Sequence, residues 1–489
     1  MKHRLLLLSA LALSIPTTLT AQVQSLVAGN TAFALRLYGE LAADGGSSNL
    51  FFSPYSISTC LAMLYDGARG NTQAQMSQVL GFSSDQQQLA LAFGQLQSAM
   101  QADQQTNALQ LRIANALWTQ VGFPFLPDFL ATASDQYQAS ISQADFAQDA
   151  NEVAQAINDW VAQETENRIH DIVSADAIKA ATRLVLANAV YFLGEWTYAF
   201  EPTNTSLQPF YLSSSNQVMA PLMHQPLIGS GQGPAFNYLA ASGFQALELP
   251  YASNQLSMLL LLPAQIDGLG QLEEQLSPAF LSNVLARMTP QQVEVFLPNF
   301  TNASSFDLTE TLPQMGMPDA FAPDVADFSG IDGAKDLCVS FVVHRAWCQV
   351  NEAGTEAAAA TVIGVIGTVV SGTPAPVFRA DHPFIYLIRD TRTGSVLFMG
   401  RLANPTQSSG VPIPKPRLAI TRSANALTIS WPYPSTPWVL EQSPNPGAGN
   451  WQPVATEYSP ASDLSRIGAT NFITVAPSQG NRFFRLRRQ

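Results

Sequence analysis

The chain has 489 residues, of which 47% are hydrophobic and only 12% charged, and it carries a net charge of −13; an ordinary soluble domain has roughly 25% charged residues. Lysine occurs only at Lys2, Lys179, Lys335 and Lys415, and an acidic chain without basic clusters argues against nucleic acid or heparin-like polyanions as partners. The length accommodates about three domains at the usual ~150 residues each.

At the start, Met1-Lys2-His3-Arg4 precedes an apolar run, Leu5 to Leu13, and then small or polar residues up to Ala21. A basic start, a short apolar core and a cleavage site after Leu19-Thr20-Ala21 read as a signal peptide over residues 1–21 rather than a membrane span. Export, to the extracellular space or a periplasm, is the expectation. The later run Val362 to Val370 is too short to cross a bilayer and is interrupted by glycine.

From Asn49 to Met76 the text is NLFFSPYSISTCLAMLYDGARGNTQAQM. Ser53-Pro54 is a helix start, with Ser53 as cap and Pro54 in the first turn, where a missing N–H costs nothing. Ile57, Leu61, Leu64 and Tyr65 then recur at helical spacing as a buried stripe. Leu111 to Trp118 reads as a strand, and Ile157 to Val161 with Thr165 as part of a helix. Leu184 to Trp196, LVLANAVYFLGEW, is a near-continuous apolar run of the kind found in a strand buried on both faces. Leu247 to Tyr251 and Ser257 to Pro263 read as paired strands, Val293 to Phe300 as one alternating strand, and Val343 to Ala346 as part of a strand that also carries Cys338 and Cys348.

The next stretch, Asn351 to Ser371, is NEAGTEAAAATVIGVIGTVVS. Its four alanines favour a helix, whereas the β-branched residues from Thr361 to Val370 favour a strand. On one strand face Thr355, Ala357, Ala359 and Thr361 are all small enough to pass between neighbouring strands. His382 to Tyr386 and Leu397 to Pro405 follow as further strand-like blocks.

Residues 406–416, TQSSGVPIPKP, form a proline-rich, semi-rigid linker. Beyond it Leu418, Ile420, Leu427, Ile429 and Trp431 alternate, Asn425 marks a turn, and Trp438, Trp451, Phe472 and Phe483 are candidates for a small core. Residues 417–489 are therefore expected to form a small all-β sandwich. This tail resembles the fibronectin-like modules of secreted bacterial proteins, with either an anchoring role or that of an inert cap.

Of the three cysteines, Cys338 and Cys348 stand ten strand steps of about 3.3 Å apart on this reading, too far to bond. Free thiols are expected, and no paired Cys or His spacing points to a metal. Asn204, Asn299 and Asn302 fit N-x-S/T. No G-x-S-x-G or H-E-x-x-H is present, so no enzyme is indicated.

Glu352, Ala353, Gly354, Thr355, Glu356, Ala357, Ala358, Ala359, Ala360 and Thr361 closely resemble the serpin hinge, E-E-G-T-E-A-A-A-A-T, departing only at Ala353. With the blocks above, the resemblance covers about residues 25–405. It implies an α+β fold with a large central mixed β-sheet, further smaller sheets, about eight to nine helices and an exposed reactive-centre loop at about 352–380. It further implies a "shutter" formed by Ser53, Ser56, Asn188 and His344 beneath the parting strands, and Trp196 in the "breach" where loop insertion begins. His344, on either reading, holds structure and does not catalyse. Asn299 replaces the lysine that commonly pairs with the hinge glutamate, here Glu352, which predicts a somewhat easier hinge.

The resemblance implies a suicide inhibitor. A serine protease, or as a second class a cysteine protease, would attack the loop and be trapped as a covalent acyl complex when the hinge inserts as a new strand. No cofactor is implied, and a monomer is expected. Counting from the hinge places the scissile bond at Thr368-Val369; a loop a few residues longer than usual leaves Val370-Ser371 as the alternative. Small β-branched residues there suit elastase-like or subtilisin-like enzymes. A non-inhibitory serpin acting as a binding protein or adhesin is the alternative function. The apolar, β-rich loop also makes loop–sheet polymerisation a hazard.

Overall fold

A computed structural model describes residues 20–407, apart from 47, 102–108, 228–232, 253 and 356–374, together with seven strands beyond residue 418. Residues 1–19, most of the expected signal segment, lie outside it. The first helix, Ala21–Asp44, is capped by Thr20, whose Oγ1 accepts from the Val23 N–H. A cut after Ala21 would therefore remove that cap.

The helix Pro54–Gly67 forms as its sequence predicts. Ser53 is extended at the cap, its Oγ accepts from the Ser56 N–H, and Pro54 opens the first turn. Ile57, Leu61 and Tyr65 are buried, and the helix packs between strands Leu184–Glu195 and Val396–Leu402. Ten α-helices are present among the described residues, three of them only four or five residues long.

Three sheets build the body. A mixed six-stranded sheet runs in the order Phe300–Asp307, Val343–Val350, Gly354–Thr355, Leu184–Glu195, Leu109–Gln120 and Ala139–Ala144. Its neighbours are antiparallel except for the parallel pair Leu109–Gln120 and Ala139–Ala144. A seven-stranded sheet contains the paired strands Phe244–Pro250 and Leu256–Pro263, the latter buried at all eight positions. A four-stranded sheet holds Val377–Arg379, Glu294–Pro298, Asn216–Gln225 and Ser206–Ser213 in that order. The α+β class expected from the sequence is the class observed.

Several local expectations are corrected. Val293 to Phe300 is not one strand: it is cut at Asn299, with Glu294–Pro298 in the four-stranded sheet and Phe300–Asp307 in the six-stranded one. Pro298, which has no N–H, stands at the change of sheet. Cys338 lies outside the strand that carries Cys348, which begins only at Val343; Cys60, Cys338 and Cys348 are all free thiols. In Leu184–Glu195, Leu184, Leu186 and Asn188 are only half-buried, because a cleft runs along that end of the strand.

Beyond residue 418 the chain forms a four-stranded and a three-stranded antiparallel sheet. Ile429 is buried. Two expected core residues are not core: Phe483 is 36% exposed, and Trp451 is half-buried beneath the Arg485 guanidinium, 4.3 Å from its ring centre. Arg485 also pairs with buried Glu441, and this ion pair, not an apolar cluster, occupies that place. Residues 408–418, which include most of the expected linker 406–416, and the side chains of Trp438 and Phe472 lie outside the described residues.

Candidate functional site: the root of the loop and the split sheet

Gly354 and Thr355 form a two-residue strand between Val343–Val350 and Leu184–Glu195, with Thr355 opposite Val350 on one side and Gly194 on the other. Beyond them no described residue pairs between the two long strands. Toward the other end of Leu184–Glu195 a cleft of about 410 Å³ is walled by Leu184 to Asn188 and by Asp336 to His344, with Ile57, Cys60 and Leu61 also lining it. The chain therefore enters the sheet at Gly354–Thr355, between the same two strands that border the cleft farther along.

A tight turn feeds this entry. The Asn351 N–H bonds the Gly354 carbonyl at 2.9 Å, and Asn351 Oδ1 accepts from the N–H groups of Ala353 and Gly354. Gly354 is required for packing, since a Cβ there would collide with the Gly194 carbonyl. Trp196 holds the turn through its ring N–H, which donates to the Asn351 carbonyl at 3.0 Å, and its backbone N–H, which bonds the Ala353 carbonyl at 2.8 Å. Its ring stacks on Tyr251 with centres 4.6 Å apart, and the Tyr251 hydroxyl lies 2.6 Å from Thr355 Oγ1. Burial holds the Tyr251 phenol well above its ordinary pKa, so it stays a neutral hydrogen-bonding group.

Glu352 is held at both oxygens: Thr205 Oγ1 donates to Oε1 at 2.8 Å and Asn299 Nδ2 to Oε2 at 3.2 Å. Asn299 thus occupies the position of a cationic partner but supplies a neutral hydrogen bond.

A second polar group lies where the cleft begins, at Ser56, Asn188 and His344. The buried Ser53 N–H donates to His344 Nε2 at 2.9 Å, and Ser53 Oγ donates to the Leu397 carbonyl at 2.7 Å. Ser56 Oγ bonds Asn188 Oδ1, Asn188 Nδ2 donates to Asn115 Oδ1, and Asn115 Nδ2 donates to the Tyr137 carbonyl. Burial pushes the His344 pKa down to about 3; the imidazole is neutral, with Nε2 free to accept. This network ties the helix Pro54–Gly67 to strands on both sides of the cleft, and nothing in it is arranged as a nucleophile with its base.

The structure thus gathers Ser53, Ser56, Asn188 and His344 beside the cleft, and Trp196, Glu352, Gly354 and Thr355 around the root of the loop, at the other end of Leu184–Glu195. Glu356, Ala357 to Ala360, Thr361, Thr368, Val369, Val370 and Ser371 lie outside the described residues. Sequence reasoning missed Asn115, Tyr251 and Thr205. Asn115 was the detectable one, as a polar residue in the alternating series Leu111, Ile113, Asn115, Leu117; Tyr251 and Thr205 have no local signal. Among the described residues no group of three or more His, Cys, Asp or Glu is placed to hold a metal, and no helix is long and apolar enough to cross a membrane.

Residues 28–405 match the family described as Serpin (serine protease inhibitor). The chain is 37% identical to the leukocyte elastase inhibitor of Xenopus tropicalis over 387 residues, which covers 78% of this chain and 100% of that protein. It is 38% identical to a serpin-like protein of Thermococcus kodakarensis over 385 residues, covering 78% of this chain and 87% of the relative. Among solved structures it resembles cleaved Serpin 42Da, with a TM-score of 0.69 and 31% identity, covering 79% of this chain and 100% of that one.

Proposed function

The chain belongs to the serpin family, and from that premise we propose that it is a suicide-substrate inhibitor of serine endopeptidases with elastase-like or subtilisin-like specificity. The observation that carries this reading is the loop root: Thr355 already pairs with strands on both sides, and a cleft opens farther along between the same two strands. Adding a strand there needs no rearrangement of the entry point, only continuation.

The protease serine Oγ attacks the loop carbonyl carbon at Thr368, or at Val370 in the alternative. An acyl ester forms, and the new amino terminus at Val369 or Ser371 leaves with the proton. Freed of its tether, the segment from Glu356 to Thr368, 13 residues, extends the Gly354–Thr355 strand into the sheet. At about 3.3 Å per residue it carries the ester-linked enzyme roughly 43 Å. Distortion of the enzyme's active site on arrival leaves the ester unhydrolysed. New main-chain hydrogen bonds and apolar burial in the cleft drive the step, and the inhibitor's own residues supply no acid, base or nucleophile.

The apolar start of the chain supports export as part of this reading. The seven-stranded tail supports an appended fibronectin-like module. A small β-branched residue at the cut supports an enzyme with a shallow apolar pocket, and rapid trapping of trypsin would refute that choice.

The test is to mix the protein with pancreatic elastase and separately with subtilisin, resolve the products under denaturing conditions and sequence the released C-terminal fragment. A denaturant-stable complex with a fragment beginning at Val369 or Ser371 is the expected result. Cleavage by both enzymes without any complex refutes inhibition of this class and favours a binding protein.

A further inference from the structure

Charge is divided unevenly along the chain. Residues 25–405 carry 13 Lys or Arg against 33 Asp or Glu, a net −20, whereas residues 417–489 carry seven Arg and no Lys against three acids, a net +4. The acidity of the chain as a whole argues against an anionic partner; the tail taken alone has the opposite charge. A basic segment appended to an acidic domain is the asymmetry expected of a segment that binds an anionic surface.

Four of the seven arginines, Arg482, Arg485, Arg487 and Arg488, fall within seven residues. Three of them lie in strand Phe483–Arg488, an edge strand among the described residues, with Trp438–Ser443 as its neighbour. The register sets Arg485 opposite Glu441, Arg487 opposite Val439 and Arg488 opposite Trp438. One acid therefore meets three arginines across the pair. Glu441 is buried and already neutralised by Arg485, whose Nε and Nη2 both lie 2.9 Å from Oε2. The strand keeps a positive charge that its neighbour does not balance.

An exposed apolar residue stands in the same strand. Phe483 is 36% exposed and, two residues from Arg485, shares its face of the sheet. Arginines with an exposed aromatic residue beside them suit the boundary between lipid phosphate and hydrocarbon, where guanidinium groups pair with phosphate oxygens and the ring enters the acyl layer. A soluble polyanion would use the arginines and leave Phe483 in water.

An anionic surface repels the acidic body, and residues 406–416 separate the two by length. These eleven residues include Pro412, Pro414 and Pro416 and, at about 3.1 Å each in an extended proline-rich chain, span roughly 34 Å. The screening length is about 8 Å at physiological ionic strength. At that separation repulsion of the body is screened, while the arginines act at contact.

We propose that residues 417–489 form a module that binds an anionic lipid surface through Arg482, Arg487 and Arg488, with Phe483 entering the interface. The module thereby fixes where the body acts. This binding needs no cleavage of the loop and stands whether or not the chain traps proteases.

The test is cosedimentation of the full chain with vesicles of phosphatidylcholine alone and of phosphatidylcholine with phosphatidylglycerol, at low and high salt. The unaltered chain is expected to bind the vesicles that contain phosphatidylglycerol and to leave them at high salt. Replacing Arg482, Arg487 and Arg488 together by Gln should weaken binding about a hundredfold, and replacing all three by Lys should largely preserve it; Arg485 stays in place because it neutralises Glu441. Phe483→Ser should bind about fivefold more weakly. Equal binding to both kinds of vesicle, or none to either at low salt, overturns the proposal. So does a Gln variant that binds as well as the unaltered chain, or a Lys variant that fails as completely as the Gln variant. Undiminished binding by Phe483→Ser, or retention on heparin or DNA without binding to vesicles, overturns the lipid surface in favour of a polyanion read by charge alone.

Discussion

The hydroxyl of Tyr251 lies 2.6 Å from Thr355 Oγ1, and Thr355 is 1% exposed. Thr355, at the root of the loop, is therefore bonded to a residue that itself stacks on Trp196. Thr355→Arg would place a cation in this buried position, at a cost of several kcal/mol. Because Thr355 is buried and paired in the uncleaved chain, that cost falls on the starting protein, and the variant should unfold at a clearly lower denaturant concentration. Denaturant titration measures this; an unchanged midpoint would show that the entry position accepts a charge.

Asn299→Lys would replace the neutral bond to Glu352 with an ion pair. Half-exposed pairs contribute about 0–1 kcal/mol, so the variant should be slightly more stable and should trap enzyme up to about fivefold more slowly. Faster trapping would overturn the view that a neutral bond to Glu352, in place of an ion pair, eases the hinge.

His344 gives a pH dependence whose sign is determined by burial. Its folded pKa is lowered from the ordinary value of about 6.5 to about 3, so the unfolded state takes up the proton first. Stability is complete above about pH 6.5 and is lost as pH falls from there towards 3, by about 2 kcal/mol at pH 5. Denaturant titrations at pH 7.5 and 5.0 measure it. In His344→Gln most of that difference should vanish; an identical loss in the variant would assign it to other groups.

Asn302 fits a glycosylation sequon yet is fully buried, with Nδ2 within bonding distance of the Leu50 carbonyl, the Tyr386 hydroxyl and the Arg401 carbonyl. Expression in a glycosylating host should leave Asn302 unmodified, as mass spectrometry of its peptide would show. Asn302→Ala should cost about 2–4 kcal/mol through the partners it strands.

Burial also pushes the Cys60 thiol up to about 12. At pH 8 its alkylation should be about a thousandfold slower than that of a free thiol. Because Cys60 lies in the floor of the cleft, loop insertion should abolish the remaining reactivity. Faster labelling after loop cleavage would contradict filling of the cleft.

Much of this was readable along the chain because it depends on neighbours in sequence. Ser53-Pro54 announces a capped helix, SMLLLLP a buried strand, and the small residues from Gly354 onward a segment able to enter a sheet; each follows from backbone capping, side-chain volume or apolar periodicity. Only the tertiary structure decided what depends on residues remote in sequence: that Pro298-Asn299 divides one alternating run between two sheets, that Asn302 is sealed from solvent, that Asn115 bonds Asn188 beside the cleft, and that Tyr251 bonds the root of the loop. Hydrogen bonds such as Thr205 to Glu352, between residues 147 positions apart, leave no trace in local composition, because the free energy that forms them comes from packing the whole sheet.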